Sequence, residues 1–484
     1  ILRLSLSDTI GVDDAIEGVF TQSLAPGYDP RQPPLYTWLL WLVQRVTGPS
    51  LISFLIFKYG LLSATFLLYY RIAQRLFRDT RYASLTAWSL LLLYQIGWNL
   101  HEGVTQTQVL MLACTATLYT FLRASDRGTA TAYILLGLAV GAGLLAKLSF
   151  GAFLGCLAAG SLLTPRFRRT LLSPRLLISL AVAAAVVSPY AWWLFTGATD
   201  LDTVFRSAVG NSNGTGYLPR VGKGLVSAVL TSLGFLSPLL PILLLLFPRG
   251  LLRNAAPPEL DTDIQRLISV MLLTGLTLLV LGVLLAGVGE YKERWLHPFL
   301  LVAPLYFFCR VRSADPTAGR IRLYLAIVIG ICAVVIGLRT AHLVVGPPLC
   351  NKCRPLVPYA KLADALAEAG FATGTIVVRN GNTAGNLRAA FPNARIYVLN
   401  NPTFEPPAAP ADAGRRCLVV WPMKRDQDGF PKDAGTYLLL SPADIQALPF
   451  ERAEIPWGHL WRPDDHRVST WGYVLFDGPR GRCT

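Results

Sequence analysis

The chain has 484 residues, 53% of them hydrophobic and only 15% charged, with a mean hydropathy of +0.45; a soluble globular protein carries about 25% charged residues, so a soluble chain is excluded. The net charge of +15 would suit nucleic acid, but residues after 345 hold 16 Lys+Arg against 13 Asp+Glu, and those before hold 28 against 16. Most of that excess lies in short connections between apolar runs, as in the cytoplasmic loops of a membrane protein and unlike a nucleic-acid face.

Residues 1–50 form a first segment outside the membrane. Asp13 and Asp14 open a helix over 13–24 that lies along the membrane surface; acidic residues suit a helix first turn, so capping accounts for them without any chemistry. Pro33-Pro34 then stops one segment and starts a helix rich in Leu, Trp and Tyr, which suits the interface. About ten spanning helices follow, at 51–77, 82–99, 104–122, 130–146, 149–164, 176–196, 224–247, 267–288, 295–309 and 323–345. The apolar runs 176–194, 225–247, 267–288 and 323–345 are each near the ~20 residues that cross a bilayer, and in lipid only a helix satisfies its own backbone. The stretch 131–163 is too long for one helix, and the charge alternation needs two.

Arg-rich connections fall on every second loop: Arg71/Arg75/Arg78/Arg81, Arg123/Arg127, Arg166/Arg168/Arg169/Arg175, Arg249/Arg253/Arg266 and Arg310/Arg312/Arg320/Arg322. The positive-inside rule places them in the cytoplasm. Residues 1–50, the 197–223 and 287–294 loops and everything after 345 then lie outside. One further helix is expected before Ile1, with 1–5 as its end; a cleaved signal peptide is the alternative.

After 346 the pattern changes to a small α/β domain, 346–484. It has an amphipathic helix over 358–369, buried strands at 375–378, 395–399, 417–421 and 473–476, and a short helix over 386–391. The loop 379–385 precedes that helix and reads as a plain turn rather than an anion site. Cys114, Cys156, Cys309 and Cys332 lie in or beside spans. Cys350, Cys353, Cys417 and Cys483 lie in the outer domain, where an even number suggests disulfides. Of the three pairings, Cys350–Cys353 with Cys417–Cys483 needs the least chain reorganisation. A redox or zinc role for Cys350 and Cys353 is the alternative, but His459 and His466 are not placed to complete a zinc site.

An ordered set of motifs resembles GT-C glycosyltransferases that use polyprenyl-phosphate sugars. It comprises Asp13-Asp14-Ala15, the Gly27-Tyr28 turn, Pro33-Pro34-Leu35-Tyr36-x-Trp38-Leu39, and Gly137-Leu-Ala-x-Gly141-x-Gly143-Leu-Leu-x-Lys147. Ser188-Pro189-Tyr190-x-Trp192 and Tyr291-Lys292-Glu293-Arg294-Trp295-Leu296-x-Pro298 follow. Aminoarabinose transferases of lipid A, protein O-mannosyltransferases and rhizobial lipopolysaccharide galacturonosyltransferases share this pattern, the last group most closely. The resemblance covers about 1–345 and touches the tail at 384–392. It departs at Asp14, where many relatives carry Glu.

The resemblance implies a polytopic α-helical bacterial inner-membrane enzyme with a periplasmic C-terminal domain. Its donor is a polyprenyl-phosphate sugar and its acceptor a lipid A, lipopolysaccharide core or other envelope glycan. It makes Asp13 the catalytic base and Asp14 its helper. A sugar hydroxyl is a poor nucleophile and needs a carboxylate for its proton. The leaving phosphate is already anionic and needs electrostatic stabilisation, which Lys147, Arg294, Lys292 and, less directly, Lys58 are placed to supply. Direct displacement with inversion follows, since retention needs a second, nucleophilic carboxylate.

Each assignment has a plainer counterpart. Lys147 can snorkel to the headgroups. Lys292 and Arg294 can anchor the interface or pair with Glu290 and Glu293. Tyr36 and Trp38 contact sugar or lipid, or anchor the interface; Tyr291 joins Tyr36 and Glu102 as a substrate-binding candidate. His101 and Glu102 are ordinary loop polar groups, line the site, or share a divalent metal with Asp13 and Asp14; no cofactor is otherwise expected. The rival classes are a non-catalytic flippase of lipid-linked sugars and a protein O-glycosyltransferase. Transporters often show repeated halves and broken helices inside the bilayer; no such repeat is visible here.

Overall fold

A computed structural model describes residues 2–103, 105–197, 216–252, 260–345, 353–401, 403–408, 416–423, 429–457, 467–478 and 481–483. The main helices run, in chain order, α1 Val12–Phe20, α2 Leu35–Thr47, α3 Leu51–Phe77, α4 Thr105–Arg127, α5 Ala130–Ala146, α6 Phe150–Leu163, α7 Leu176–Thr196, α8 Tyr217–Leu236, α9 Thr262–Leu284 and α10 Ala318–Val344. Then come α11 Tyr359–Glu368, β1 Thr375–Val378, α12 Gly381–Ala390, β2 Arg395–Val398, β3 Cys417–Pro422, β4 Glu451–Pro456 and β5 Val468–Phe476. The chain is a polytopic α-helical membrane protein with a small sheet domain at its C-terminal end. Among the described residues α3, α7, α9 and α10 are each long and apolar enough to span alone. The chain falls into two compact units, Ile1–Tyr28 with Thr37–Phe57 and Ile336–Thr484, and Asp29–Tyr36 with Lys58–Val335.

The larger, helical unit is built on close helix contacts and one charged end. Helix α5 packs along α7. A Cβ at Gly137 would lie 2.6 Å from the Ser179 carbonyl oxygen, and one at Gly141 2.8 Å from Val186, so small residues let the backbones meet without any hydrophobic drive. Three of the expected spans are interrupted. The 82–99 region is Thr80–Trp88, a 3₁₀ turn Ser89–Leu92 and a π turn Gln95–Asn99, and 295–309 is cut into short helices with Pro298 and Pro304 in their first turns. Proline removes a backbone donor and clashes with the preceding turn. The 224–247 span likewise divides at Pro238, and the break is repaired across the unit by the Tyr94 N–H donating to the Ser237 carbonyl at 2.8 Å. Broken helix survives at such depth only where other protein completes its bonds.

Arg-rich ends meet on one side of this unit. Arg166 reaches Asp126 at 2.7 Å and Asp261 at 3.0 Å, and Arg75 reaches Asp126 at 3.3 Å. These pairs gather the ends of α3 and α4 and the start of α9. The 131–163 stretch is two helices, α5 and α6, as the charge alternation requires.

The smaller unit holds a sheet in the order β2-β1-β3-β5-β4. Strand β1 runs parallel to β2 and β3, and β5 runs antiparallel to β3 and β4. Its core includes Ile376, Val378, Leu387 and Leu418 together with Val19, Phe20 and Tyr28 from the start of the chain. The sequence showed no strand at β4: its exposed Glu-Arg-x-Glu face leaves only Ala453 and Ile455 buried. The helices Lys432–Tyr437 and Pro442–Ala447 were not foreseen either. Cys417 and Cys483 are bonded to each other. Cys353 is also disulfide-bonded, while Cys350, His459 and His466 lie outside the described residues. The 379–385 loop is a helix start, with the Asn380 side chain accepting from the Thr383 N–H at 2.9 Å.

Candidate active site

In the smaller unit, the candidate carboxylates occupy the first turn of α1. Gly11 is the N-cap and offers no side chain, and neither aspartate serves as the cap. Their surroundings differ: Asp13 is exposed, whereas Asp14 is buried at 4% exposure. This short helix packs on two faces. Glu17, Gly18 and Thr21 turn toward 37–57: the Thr37 hydroxyl donates to Glu17 at 2.5 Å, and Thr21 donates to the Gln44 side chain at 2.6 Å. Gly18 leaves just enough room for the Phe54 ring. Ala15, Val19 and Gln22 turn toward the sheet domain. Asp13 lies one helical turn before Glu17, at the start of the helix, where it is exposed. A base that must take a proton from an incoming hydroxyl needs that access, and a helper does not.

In the helical unit, the cation candidates sit at the end opposite the Arg-rich connections. Helix α5 begins just after Arg127, and its 17 residues carry the chain about 25 Å to Lys147. Gly143 makes the turn possible, because a Cβ there would lie 2.2 Å from the Phe150 ring. The Lys147 ammonium donates to the Thr107 hydroxyl at 3.3 Å. Arg294, exposed in the 3₁₀ turn Glu293–Trp295, is near enough for its charge to act on Lys147. Among the described residues Arg294 has no carboxylate partner. Glu290 pairs instead with Lys223 at 3.5 Å, and Lys292 lies 5.8 Å over the Trp295 ring. The Lys147 charge also acts on His297, whose ring is fully buried against Phe235 with neither nitrogen hydrogen-bonded among the described residues.

The other candidates fall within the packing. Tyr36 is fully buried at the start of α2, and Lys58 is buried in α3. Burial pushes the Tyr291 hydroxyl up to about 12, and it donates to the Leu279 carbonyl at 2.7 Å. Trp38 donates its indole N–H to the Ala25 carbonyl at 2.7 Å. His101 shares a 3.1 Å hydrogen bond with the Tyr59 hydroxyl. Glu102 belongs to the helix Leu100–Gly103, but its side chain lies outside the described residues. No three His, Cys, Asp or Glu side chains converge as a metal site among the described residues.

Sequence reading missed Thr107, Glu17, Asn386 and His297. Thr107 and Glu17 carried no motif. His297 occupies the variable place before Pro298, and Asn386 lies in the tail match at 384–392 without a stated role.

The sequence profile described as dolichyl-phosphate-mannose-protein mannosyltransferase matches residues 31–193. The lipopolysaccharide core galacturonosyltransferase RgtA of Rhizobium johnstonii is 31% identical over 88% of this chain and 84% of its own length. RgtB of the same organism, with the same description, is 28% identical over 99% of this chain and 95% of its own. The apo crystal structure of ArnT from Cupriavidus metallidurans is similar in fold, with a TM-score of 0.56 at 13% identity, covering 97% of this chain and 95% of that one.

Proposed function

The chain belongs to the GT-C glycosyltransferases, in the family of RgtA and RgtB, and on that footing we propose that it moves a sugar from a polyprenyl-phosphate donor to a cell-envelope glycan. Galacturonate is the first sugar to test and lipopolysaccharide core the first acceptor, because both relatives carry those words in their names. The proposed setting is the bacterial inner membrane, with the sheet domain and the Lys147 end on the periplasmic side. The proposed organisation keeps a first periplasmic segment at 1–50, a spanning region at 51–345 and a soluble domain at 346–484.

In the proposed reaction the acceptor hydroxyl attacks the anomeric carbon as its proton passes to the Asp13 carboxylate. The bond from that carbon to the phosphate oxygen breaks, and polyprenyl phosphate leaves with the bonding pair. Asp14 orients Asp13, and Lys147 and Arg294 bind the phosphate, with Lys292 at the rim. Lys58 is a lesser candidate for the same phosphate, and Tyr36, Tyr291 and Glu102 are the candidates for substrate contact. The observation that carries the reading is the Lys147–Arg294 pair. Like charges repel, and the two are held within electrostatic reach while Arg294 lacks any described carboxylate. A phosphate that bonds both groups offsets that repulsion. The test is transfer by purified protein from a synthetic polyprenyl-phosphate galacturonate to lipopolysaccharide core. Sugar appearing on the acceptor, with free polyprenyl phosphate in equal amount, is expected. Donor movement across vesicles without any cleavage would make the chain a flippase instead.

A further inference from the structure

We infer that the C-terminal sheet domain is the positioning element for the Asp13 carboxylate, with Gly385 and Asn386 as its positioning residues; the catalytic half of this inference rests on Asp13 being the base. The observation is how closely α12 brackets the turn that carries Asp13. Before that turn, the buried Asn386 side chain takes both backbone groups of one residue. The Ile10 N–H donates to Asn386 Oδ1 at 2.8 Å, and Asn386 Nδ2 donates to the Ile10 carbonyl at 3.2 Å. After it, a Cβ at Gly385 would fall 2.0 Å from the Ala15 carbonyl oxygen, and one at Gly381 would fall 2.8 Å from the Ile16 side chain. Gly381 and Gly385 are one helical turn apart and share a face. They form a small-x-x-x-small seat on which α1 lies backbone to backbone.

A third anchor closes the far end of α1. Strand β2 is the edge of the sheet, and its residue 396 turns its backbone groups outward. The Gln22 side chain takes both: the Ile396 N–H donates to Gln22 Oε1 at 2.7 Å, and Gln22 Nε2 donates to the Ile396 carbonyl at 2.9 Å. An uncovered edge invites pairing with other chains; here a glutamine from the carboxylate segment covers it. Residues 10, 15 and 22 thus all bond to or pack closely on the sheet domain, with Asp13 between the first two. Val19 and Phe20 of α1 also join the core of the domain, and the glycine seat on α12 sets the height and rotation of α1. A base must stand within hydrogen-bond reach of the hydroxyl, and a displacement of about 1 Å from the reacting geometry can cost about 10²-fold.

The experiment compares full-length Gly385→Ala, Asn386→Ala, Asn386→Asp and Asp13→Asn with wild type, in kinetics and in hydrogen exchange. The probes are synthetic polyprenyl-phosphate galacturonate and lipopolysaccharide core. Gly385→Ala is expected to lower kcat about 10- to 100-fold with the donor KM within about twofold. Exchange over 12–20 should quicken while 375–378 and 417–420 keep their protection. Asn386→Asp keeps the acceptor for Ile10 N–H and loses the donor, so it should fall between wild type and Asn386→Ala. If Gly385→Ala does not fold, the Asn386 pair and Gln22→Ala give the same reading. Faster exchange over 12–20 with unchanged kcat overturns the inference, as does a fall in kcat with unaltered exchange. An Asp13→Asn enzyme at wild-type rate overturns the Asp13 assignment and the catalytic half together. The exchange data then still decide whether the domain holds α1, so the two failures are distinct.

Discussion

The carboxylate helix and the cation pair are held by opposite means. Around α1 the supports are side chains bonded to backbone across the length of the chain, as between Asn386 and Ile10, and glycines that let two helices touch. Around Lys147 the supports are apolar helices, α5 on α7 and α6 on α9, with one hydroxyl, Thr107, at the charge itself. The first arrangement fixes one rotation of a short helix. The second fixes depth, since the length of α5 sets how far Lys147 stands from the Arg-rich end. A base needs direction toward one proton, whereas a phosphate clamp needs charge at one level.

The sharpest test of that division removes the clamp. Lys147→Ala with Arg294→Ala should reduce kcat/KM for the donor about 10³-fold or more, since loss of one preorganised charge partner typically costs about 10²–10³. Hydrogen exchange over α1 should not change; faster exchange there would break the comparison. Arg294→Ala alone should lose about 10²-fold. Arg294→Lys should recover only part, because a point charge replaces a planar fork; full recovery would mean that Arg294 supplies charge and no geometry.

A smaller effect belongs to the sheet domain. Cys417→Ser with Cys483→Ser opens a loop of 66 residues, and the chain-entropy relation puts the loss near about 4 kcal/mol. Denaturant unfolding followed by exchange over β1 and β3 measures it. Protection of α4 and α5 should persist at denaturant levels that release β1. Smallest is Thr107→Val, which removes one hydrogen bond to a charged group, worth about 1.5–3 kcal/mol when fully buried and less at a partly buried lysine. Donor KM should rise severalfold with kcat nearly unchanged.

The same division explains what was legible in the sequence. The long apolar helices α3, α7, α9 and α10 were, because a run of apolar residues states its own environment; so was the split at Lys147, from the length of 131–163 and the charge alternation. The breaks at 89–99 and 296–303 were not, since they depend on bonds made elsewhere, as from Tyr94 to Ser237. The strands β1, β2 and β3 showed as buried runs, and β4 did not, its outer face being charged. Asp13 and Asp14 were visible as a pair, but nothing local separates an exposed aspartate from a buried one. That difference arises from the faces of α1 and from partners such as Asn386, 376 residues from Ile10.

The central claim is that Asp13 accepts the acceptor's proton, and Asp13→Asn tests it most directly when transfer and donor binding are measured on the same preparation. Asparagine keeps the shape and the first-turn hydrogen-bonding capacity of aspartate, and it takes up no proton at neutral pH. The account predicts transfer lowered about 10²–10⁴-fold, donor binding within about twofold, and a milder loss for Asp14→Asn. Transfer by Asp13→Asn within about threefold of wild type would contradict it and leave the aspartates as helix-start residues.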